Sequence, residues 1–304
     1  MFRSNKERTA ISNKYQKKSL LDQILIRPDT YVGSCTVEDV LTWLPGGMRM
    51  LTYPPALYKI IDEILTNALD NKRRDDSMRR IDISLAGSTI TISNDGATIP
   101  VEKHDEHDMY IPTLVFGHLL TSDNYDDTEE RVTGGRNGYG AKLTNIFSRE
   151  FKVECKDAKA RRIFRQTWQS NMRVTDGPNI RATPNKKDKT TVSFTPDWSL
   201  FGLEGPPDSL EDLLRRRAYD IAGTSPTSLS VYFNGEKIPV KHFAAYAKTF
   251  LPDAIYIPLG DRWEIAIAVK ASDTPPVPTF VNGICTHRGG THVKHVTDPL
   301  YKYL

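Results

Sequence analysis

Apolar residues at Leu57, Ile60, Ile61, Ile64, Leu65 and Ala68 recur at intervals of three and four, so the spacing predicts an amphipathic helix over Pro55–Lys72. Lys59, Glu63, Asn67 and Asn71 repeat every fourth position as a second, polar stripe. Past residue 80 the period falls to two. Ile81-Asp82-Ile83-Ser84-Leu85 alternates, Gly87-Ser88 turns, and Thr89-Ile90-Thr91-Ile92-Ser93 alternates back, which predicts a hairpin. The same reading predicts further helices at Lys17–Ile26, Pro112–Leu120, Gly140–Phe147, Ser209–Ala222 and Lys241–Phe250. It predicts strands at Phe151–Cys155, Ile163–Gln169, Thr191–Phe194, Leu229–Phe233, Glu264–Lys270 and Thr279–Cys285, with loops at Pro184–Lys189, Gly205–Asp208 and Asp273–Pro278. No internal repeat is visible. A run of strands with helices banked on one face is an α+β sandwich.

One segment falls outside these periods. Gly134, Gly135, Gly138 and Gly140 lead directly into the helical run Ala141-Lys142-Leu143-Thr144-Asn145-Ile146-Phe147. Glycine lets backbone fold around an anion. A helix start adds unpaired N–H groups and the positive end of a dipole. The segment therefore reads as a phosphate cradle, with Lys142 as an added charge. It is not the familiar P-loop: Gly135 and Gly140 have that glycine spacing, but Ala141 follows and Lys142 comes one place late. The dinucleotide pattern fails as well.

The polar stripe on the first helix suits nucleotide chemistry. Glu63 and Asn67 lie one turn apart on one side. A carboxamide offers Mg²⁺ a neutral oxygen ligand, and a carboxylate can hold and deprotonate a water. The predicted hairpin then delivers Asn94-Asp95-Gly96, a polar residue at a strand end followed by a glycine, which suits reading the edge of a base. Taken singly, each feature is also a solvated face or a plain turn.

Taken in order, these elements resemble the GHKL ATPases, the superfamily of DNA gyrase, the MutL repair proteins, heat-shock chaperones and histidine kinases. Arg27–Ser34, Lys59–Ala68, Leu119–Asp127, Thr133–Phe147, Arg217–Gly223 and Phe280–His292 narrow the likeness to the ATPase region of eukaryotic-type (type IIA) DNA topoisomerase II. The resemblance runs from about residue 14 to the C-terminus. It implies a GHKL (Bergerat) α/β sandwich over residues 1–245, with an N-terminal strap, and over 246–304 the start of a transducer α/β domain like ribosomal S5 domain 2. It implies ATP and Mg²⁺ as ligands, Glu63 as general base and Asn67 as the Mg²⁺ holder. Asn94 would contact adenine. Ser122 and Asn124 would touch ribose and phosphates. Gly135, Arg136, Asn137, Gly138, Tyr139, Gly140, Ala141 and Lys142 would wrap the triphosphate, and Tyr15 would reach the partner's nucleotide in a homodimer. Such a dimer would close around double-stranded DNA without sequence preference. A eukaryotic nucleus, or the host cell or virion of a large DNA virus, would be its setting.

The chain departs from the family pattern in places. Thr98 stands where a second glycine is usual, which predicts a differently shaped backbone near the base, and Asp123 replaces a common lid serine. The Gln-Thr-Lys loop that reaches the γ-phosphate is missing, so the chain reads as a fragment that turns over weakly and dimerises poorly. A MutL-like repair clamp and a non-catalytic interaction module remain alternatives; Arg27–Ser34 and Phe280–His292 argue against the first, Glu63 with Asn67 against the second.

Composition adds exclusions. The net charge of +3 lacks the strong basic excess of a dedicated DNA-binding domain. Local clusters occur at Lys159-Ala160-Arg161-Arg162 with Arg165, at Lys186-Lys187-Asp188-Lys189 and at Arg215–Arg217; these read first as solvated faces that could help duplex DNA pass. No apolar run approaches the ~20 residues that cross a bilayer, and the polar N-terminus is no signal peptide. Three scattered cysteines predict a reducing compartment. His104…His107 and His287…His292…His295 lack companion cysteines and helical pairing, so neither reads as a zinc site.

Overall fold

A computed structural model of the chain describes residues 14, 17–119, 138–260, 262–269, 278–286 and 289–303. The chain opens with α1 (Leu20–Ile26), whose N-cap Ser19 accepts the Asp22 N–H (3.1 Å), and α2 (Pro28–Val32). A hairpin follows, β1 (Glu38–Leu44) and β2 (Gly47–Tyr53), in register Leu41↔Met50. No element was expected there. Its outward residues include Leu41 and Met50, both exposed, so polar alternation is blurred, although Gly46-Gly47 is a hairpin turn signal.

The long helix α3 (Pro55–Arg74) starts with proline at its first position, where the missing N–H costs nothing. It ends on Lys72, Arg73 and Arg74, which suits the negative end of the dipole. Lys72 closes it by donating to the Asp76 (2.8 Å) and Met78 (3.1 Å) carbonyls. The expected apolar stripe is the buried one: Leu57, Ile60 and Leu65 have no exposure and Ile61, Ile64 and Ala68 almost none. Burying each such large side chain contributes about 1.5–3 kcal/mol, which is why this helix forms the floor of the fold.

That floor packs on a sheet assembled from β3 (Arg80–Ala86), β4 (Thr89–Asn94), β5 (Ser148–Asp157), β6 (Arg162–Gln169), β7 (Val174–Thr175), β8 (Asn179–Ala182), β9 (Lys189–Pro196), β10 (Ser230–Phe233) and β11 (Glu236–Lys237). The order is β11-β10-β3-β4-β9-β5-β6-β7, with β8 also on β6. Among the described residues only β10 and β3 run parallel, and every other pair of this sheet is antiparallel. The β3–β4 register pairs Ile83 with Ile92. Ile81, Ile83, Ile90, Ile92, Phe151, Val153, Val192 and Phe194 are buried. The other face is polar, with Thr91 bonded to Ser193 and Thr89 to Thr195 (both 2.9 Å). Helices α4 (Ile111–Gly117), α5 (Gly140–Ile146) and α6 (Leu210–Gly223) share the apolar core with α3. The α+β sandwich is thus as expected.

Downstream lie α7 (Phe243–Phe250), the hairpin β12 (Ile255–Leu259) with β13 (Trp263–Ile267), the hairpin β14 (Phe280–Val281) with β15 (Ile284–Cys285), and α8 (Thr291–Tyr303). Residue 245 falls inside α7, whose Tyr246 and Phe250 belong to the main core. The expected single strand Thr279–Cys285 is two short strands. Asn282 (φ 49°) and Gly283 (φ 67°) both take the left-handed conformation that a tight hairpin turn demands. β12 and α8 were not anticipated.

A buried ionic network ties these parts together. Arg217 of α6 pairs with Asp62 of α3 at 2.5 Å and donates to the Gly283 carbonyl at 2.9 Å. Next to it Arg216 pairs with Asp220 (2.7 Å), which also accepts the Tyr246 hydroxyl (2.6 Å). Such pairs fix geometry more than they stabilise, but removing one partner strands a charge.

Candidate functional site

Glu63 sits midway along α3 with its side chain 17% exposed. One carboxylate oxygen, Oε1, is ion-paired to Lys59 a turn earlier. The other, Oε2, faces Gly140, the first residue of α5. A Cβ placed on Gly140 would lie 2.0 Å from Oε2, so a side chain there would displace the Glu63 carboxylate from this position. Gly138, two residues earlier, has φ 65° and needs glycine for that reason. The end of the glycine run therefore brings bare backbone against the Glu63 carboxylate.

Packing holds α5 in this position. Thr144 donates to the Ile60 carbonyl of α3 at 2.7 Å, and Asn145 donates to the Phe116 carbonyl at 3.0 Å. The Leu143 N–H bonds the Tyr139 carbonyl at 2.8 Å. Ala141 is buried and Tyr139 packs partly against the core. Lys142 is 2% exposed, and its ammonium donates to the Gly138 carbonyl at 2.7 Å. In this conformation it braces the glycine turn, a position its sequence context did not reveal.

Asn67 stands one turn beyond Glu63, exposed on the same side of α3. One turn further, Asn71 donates to Asn94 Oδ1 (2.8 Å) and to the Ala97 carbonyl (3.0 Å). Asn94, last residue of β4, is 6% exposed. The Asn71 amide thus fixes the orientation of Asn94. Sequence reading placed Asn71 in the polar stripe without giving it a task; the fourfold spacing was the available signal. Gly96 is again a close-approach glycine, since a Cβ there would lie 2.9 Å from Asn71 Nδ2. Asp75 steadies the same turn by accepting the Ala97 N–H at 2.7 Å. Hydrogen bonds, led by that from the Ser77 hydroxyl, hold the Asp75 carboxyl below its usual value of 3.8. Thr98 turns its hydroxyl onto Thr190 (2.8 Å) and gives its N–H to Asp188 (3.2 Å), so the side chain in place of a glycine is tied back to β9.

From Glu63 to Asn71 the polar stripe runs about 12 Å along one helix. The carboxylate and Gly140 lie at one end and the Asn94 turn at the other. Tyr15, Ser122, Asn124, Gly135, Arg136 and Asn137 lie outside the described residues. Burial pushes the Cys155 and Cys285 thiols up to about 12. His104, Glu106 and His107 do approach one another, with ligand atoms within 4.8 Å, but His104 Nδ1 already accepts the Glu106 N–H (3.2 Å).

Residues 52–199 match the family described as histidine kinase-, DNA gyrase B- and HSP90-like ATPases. The probable DNA topoisomerase 2 of Dictyostelium discoideum is 45% identical over 96% of this chain, and DNA topoisomerase 2 of Saccharomyces cerevisiae 41% identical over 97%. The chain spans 20% and 23% of those relatives' lengths. The crystal structure of the ATPase region of S. cerevisiae topoisomerase II superimposes with a TM-score of 0.91 at 42% identity, covering 96% of this chain and 80% of that one. Identity at that level across both chains, on a fold with a glutamate-bearing helix under a glycine-started one, places the family: the chain belongs to the ATPase region of the eukaryotic-type DNA topoisomerase II family.

Proposed function

We propose that this chain is the ATP-binding and ATP-hydrolysing gate module of a type II DNA topoisomerase. The observation that carries the reading is the approach of Gly140 to Glu63 Oε2, which sets the backbone at the start of α5 beside a carboxylate so closely that an added methyl group would displace it. The base end would seat adenine against Asn94, oriented by Asn71. The triphosphate would lie along the polar stripe toward the glycine run, held by its amides and by Gly135, Arg136, Asn137, Gly138, Tyr139, Gly140, Ala141 and Lys142. Ser122, Asn124 and the partner's Tyr15 would complete the shell.

The donor set fits a hard divalent cation, because Asn67 offers a neutral oxygen beside an anionic ligand. Mg²⁺ held there would neutralise phosphate charge. Glu63 acts on water: its Oε2 accepts a proton as the water oxygen bonds to the γ-phosphorus and the β–γ bridging P–O bond breaks, giving ADP and phosphate. Lys59 holds the other oxygen and so aims the free one.

Residues 246–304 read as the start of the transducer unit. Nucleotide binding would bias a two-state equilibrium toward a closed homodimer that captures double-stranded DNA, and hydrolysis would reopen it. The downstream parts of the whole protein would cut and reseal the second duplex. The eukaryotic topoisomerase relatives support a nuclear setting; the host cell or virion of a large DNA virus is the alternative. The test is Glu63→Gln. It should retain binding of a non-hydrolysable ATP analogue and lose hydrolysis by at least ~100-fold. Unchanged turnover would remove Glu63 as base, whereas analogue binding with no hydrolysis by the unmodified chain would favour a non-catalytic module.

A further inference from the structure

Two basic clusters that are far apart in sequence meet at one end of the sheet. The turn between β5 and β6 carries Lys159 and Arg161, with Arg162 opening β6, and the segment between β8 and β9 carries Lys186 and Lys187. Pairing of β6 with β8 sets Ile163 opposite Arg181 and Arg162 opposite Ala182. The Thr183 N–H then bonds the Arg161 carbonyl at 3.0 Å. Lys159, Arg161, Arg162, Arg181, Lys186 and Lys187 are all exposed. Among the described residues none of the six has an ion-pair partner.

The acidic residues in these segments do not neutralise them. Asp157 is buried and spends its oxygens on the backbone N–H groups of Ala160 (2.7 Å) and Val101 (2.9 Å). Asp188 spends its oxygens on Ala158 (2.7 Å) and Thr98 (3.2 Å). Both carboxylates are turned inward as clasps that hold the two segments rigid. Six outward cations against two inward-turned carboxylates concentrate positive potential on this arc.

We infer that this arc is a contact surface for the phosphate backbone of duplex DNA. Nucleic acid is favoured over an acidic protein because the arc carries no exposed aromatic or large apolar anchor, which protein interfaces depend on. Phosphate contacts need only cations and donors on a firm support. The inference rests on the DNA-capture reading above and assigns it a surface.

The test is fluorescence anisotropy of a labelled, blunt-ended duplex of arbitrary sequence, titrated with the chain at a series of KCl concentrations. The variant is Lys159→Gln, Arg161→Gln, Lys186→Gln and Lys187→Gln together; the control is Lys237→Gln, Lys241→Gln and Lys248→Gln. Binding of a non-hydrolysable ATP analogue checks that each variant is folded. The arc variant should bind duplex at least ~10-fold more weakly, and its log–log salt slope should be shallower by about 0.9 for each phosphate no longer neutralised. The control variant should match the unmodified chain. Equal affinity and slope in the arc variant would overturn the assignment while leaving DNA capture standing. No duplex binding by the unmodified chain would overturn both, and binding to poly-glutamate but not to duplex would assign the arc to an acidic protein instead.

Discussion

Replacing Gly140 by alanine isolates the approach on which hydrolysis depends. The added Cβ would stand 2.0 Å from Glu63 Oε2, whereas ordinary contact begins at 3.4 Å. Either the carboxylate or the start of α5 must yield by more than 1 Å. The carboxylate is the far end of a flexible side chain, while α5 is pinned through Thr144 to Ile60 and buries nearly all of its residues. So Glu63 swings away and the fold survives. Alanine also suits a helix better than glycine by roughly 0.5–1 kcal/mol, which offsets residual strain. A displacement of about 1 Å at a reacting group costs on the order of 10²-fold in rate. Single-turnover phosphate release should therefore fall about 100-fold in Gly140→Ala, with a thermal midpoint within a few degrees of the unmodified chain. The double variant Gly140→Ala/Glu63→Gln should be no slower than Glu63→Gln alone, because both changes remove the same group. Full activity in Gly140→Ala would refute the reasoning. So would fully additive losses in the double variant.

Three further outcomes follow from the geometry. Asn71→Ala frees the Asn94 amide and should weaken ATP-analogue binding by roughly tenfold, the worth of one hydrogen bond, without lowering the single-turnover rate at saturation; calorimetric titration reads it. Arg217→Ala strands Asp62 in the core and should cost about 3–5 kcal/mol in urea unfolding. Asp75 has a folded-state pKa below 3.8, so its contribution is complete above the unfolded value and is lost as pH falls through the folded one. Asp75→Asn should accordingly flatten the decline of the urea midpoint below about pH 4, while an unchanged decline would exclude Asp75 as a source.

The parts of the molecule that were legible in advance are those whose cause is local. Periods of 3.6 and 2 gave α3 and the β3–β4 hairpin, since one face of each must be buried. The spacing of the glycine run and of the polar stripe of α3 pointed to one site in advance, and Gly140 does lie against Glu63. What escaped depends on long-range pairing. Arg217 and Asp62 meet across the fold, and nothing near either residue announces the other. The β1–β2 hairpin exposes apolar residues, and the Asn282-Gly283 turn was hidden inside an apparently continuous strand although Asn-Gly is itself a turn signal. Burial of Lys142 was illegible for the same reason: its ammonium reaches back to the Gly138 carbonyl across a turn whose shape the local sequence does not show.

The central claim is that one face of α3 carries the nucleotide from base to γ-phosphate. A crystal structure with a non-hydrolysable ATP analogue and Mg²⁺ tests it most directly. The expected density puts adenine on Asn94, the metal on Asn67, and the terminal phosphate between Glu63 and the glycines that open α5. An analogue bound away from that face would contradict the account, as would one bound with its base at the Glu63 end.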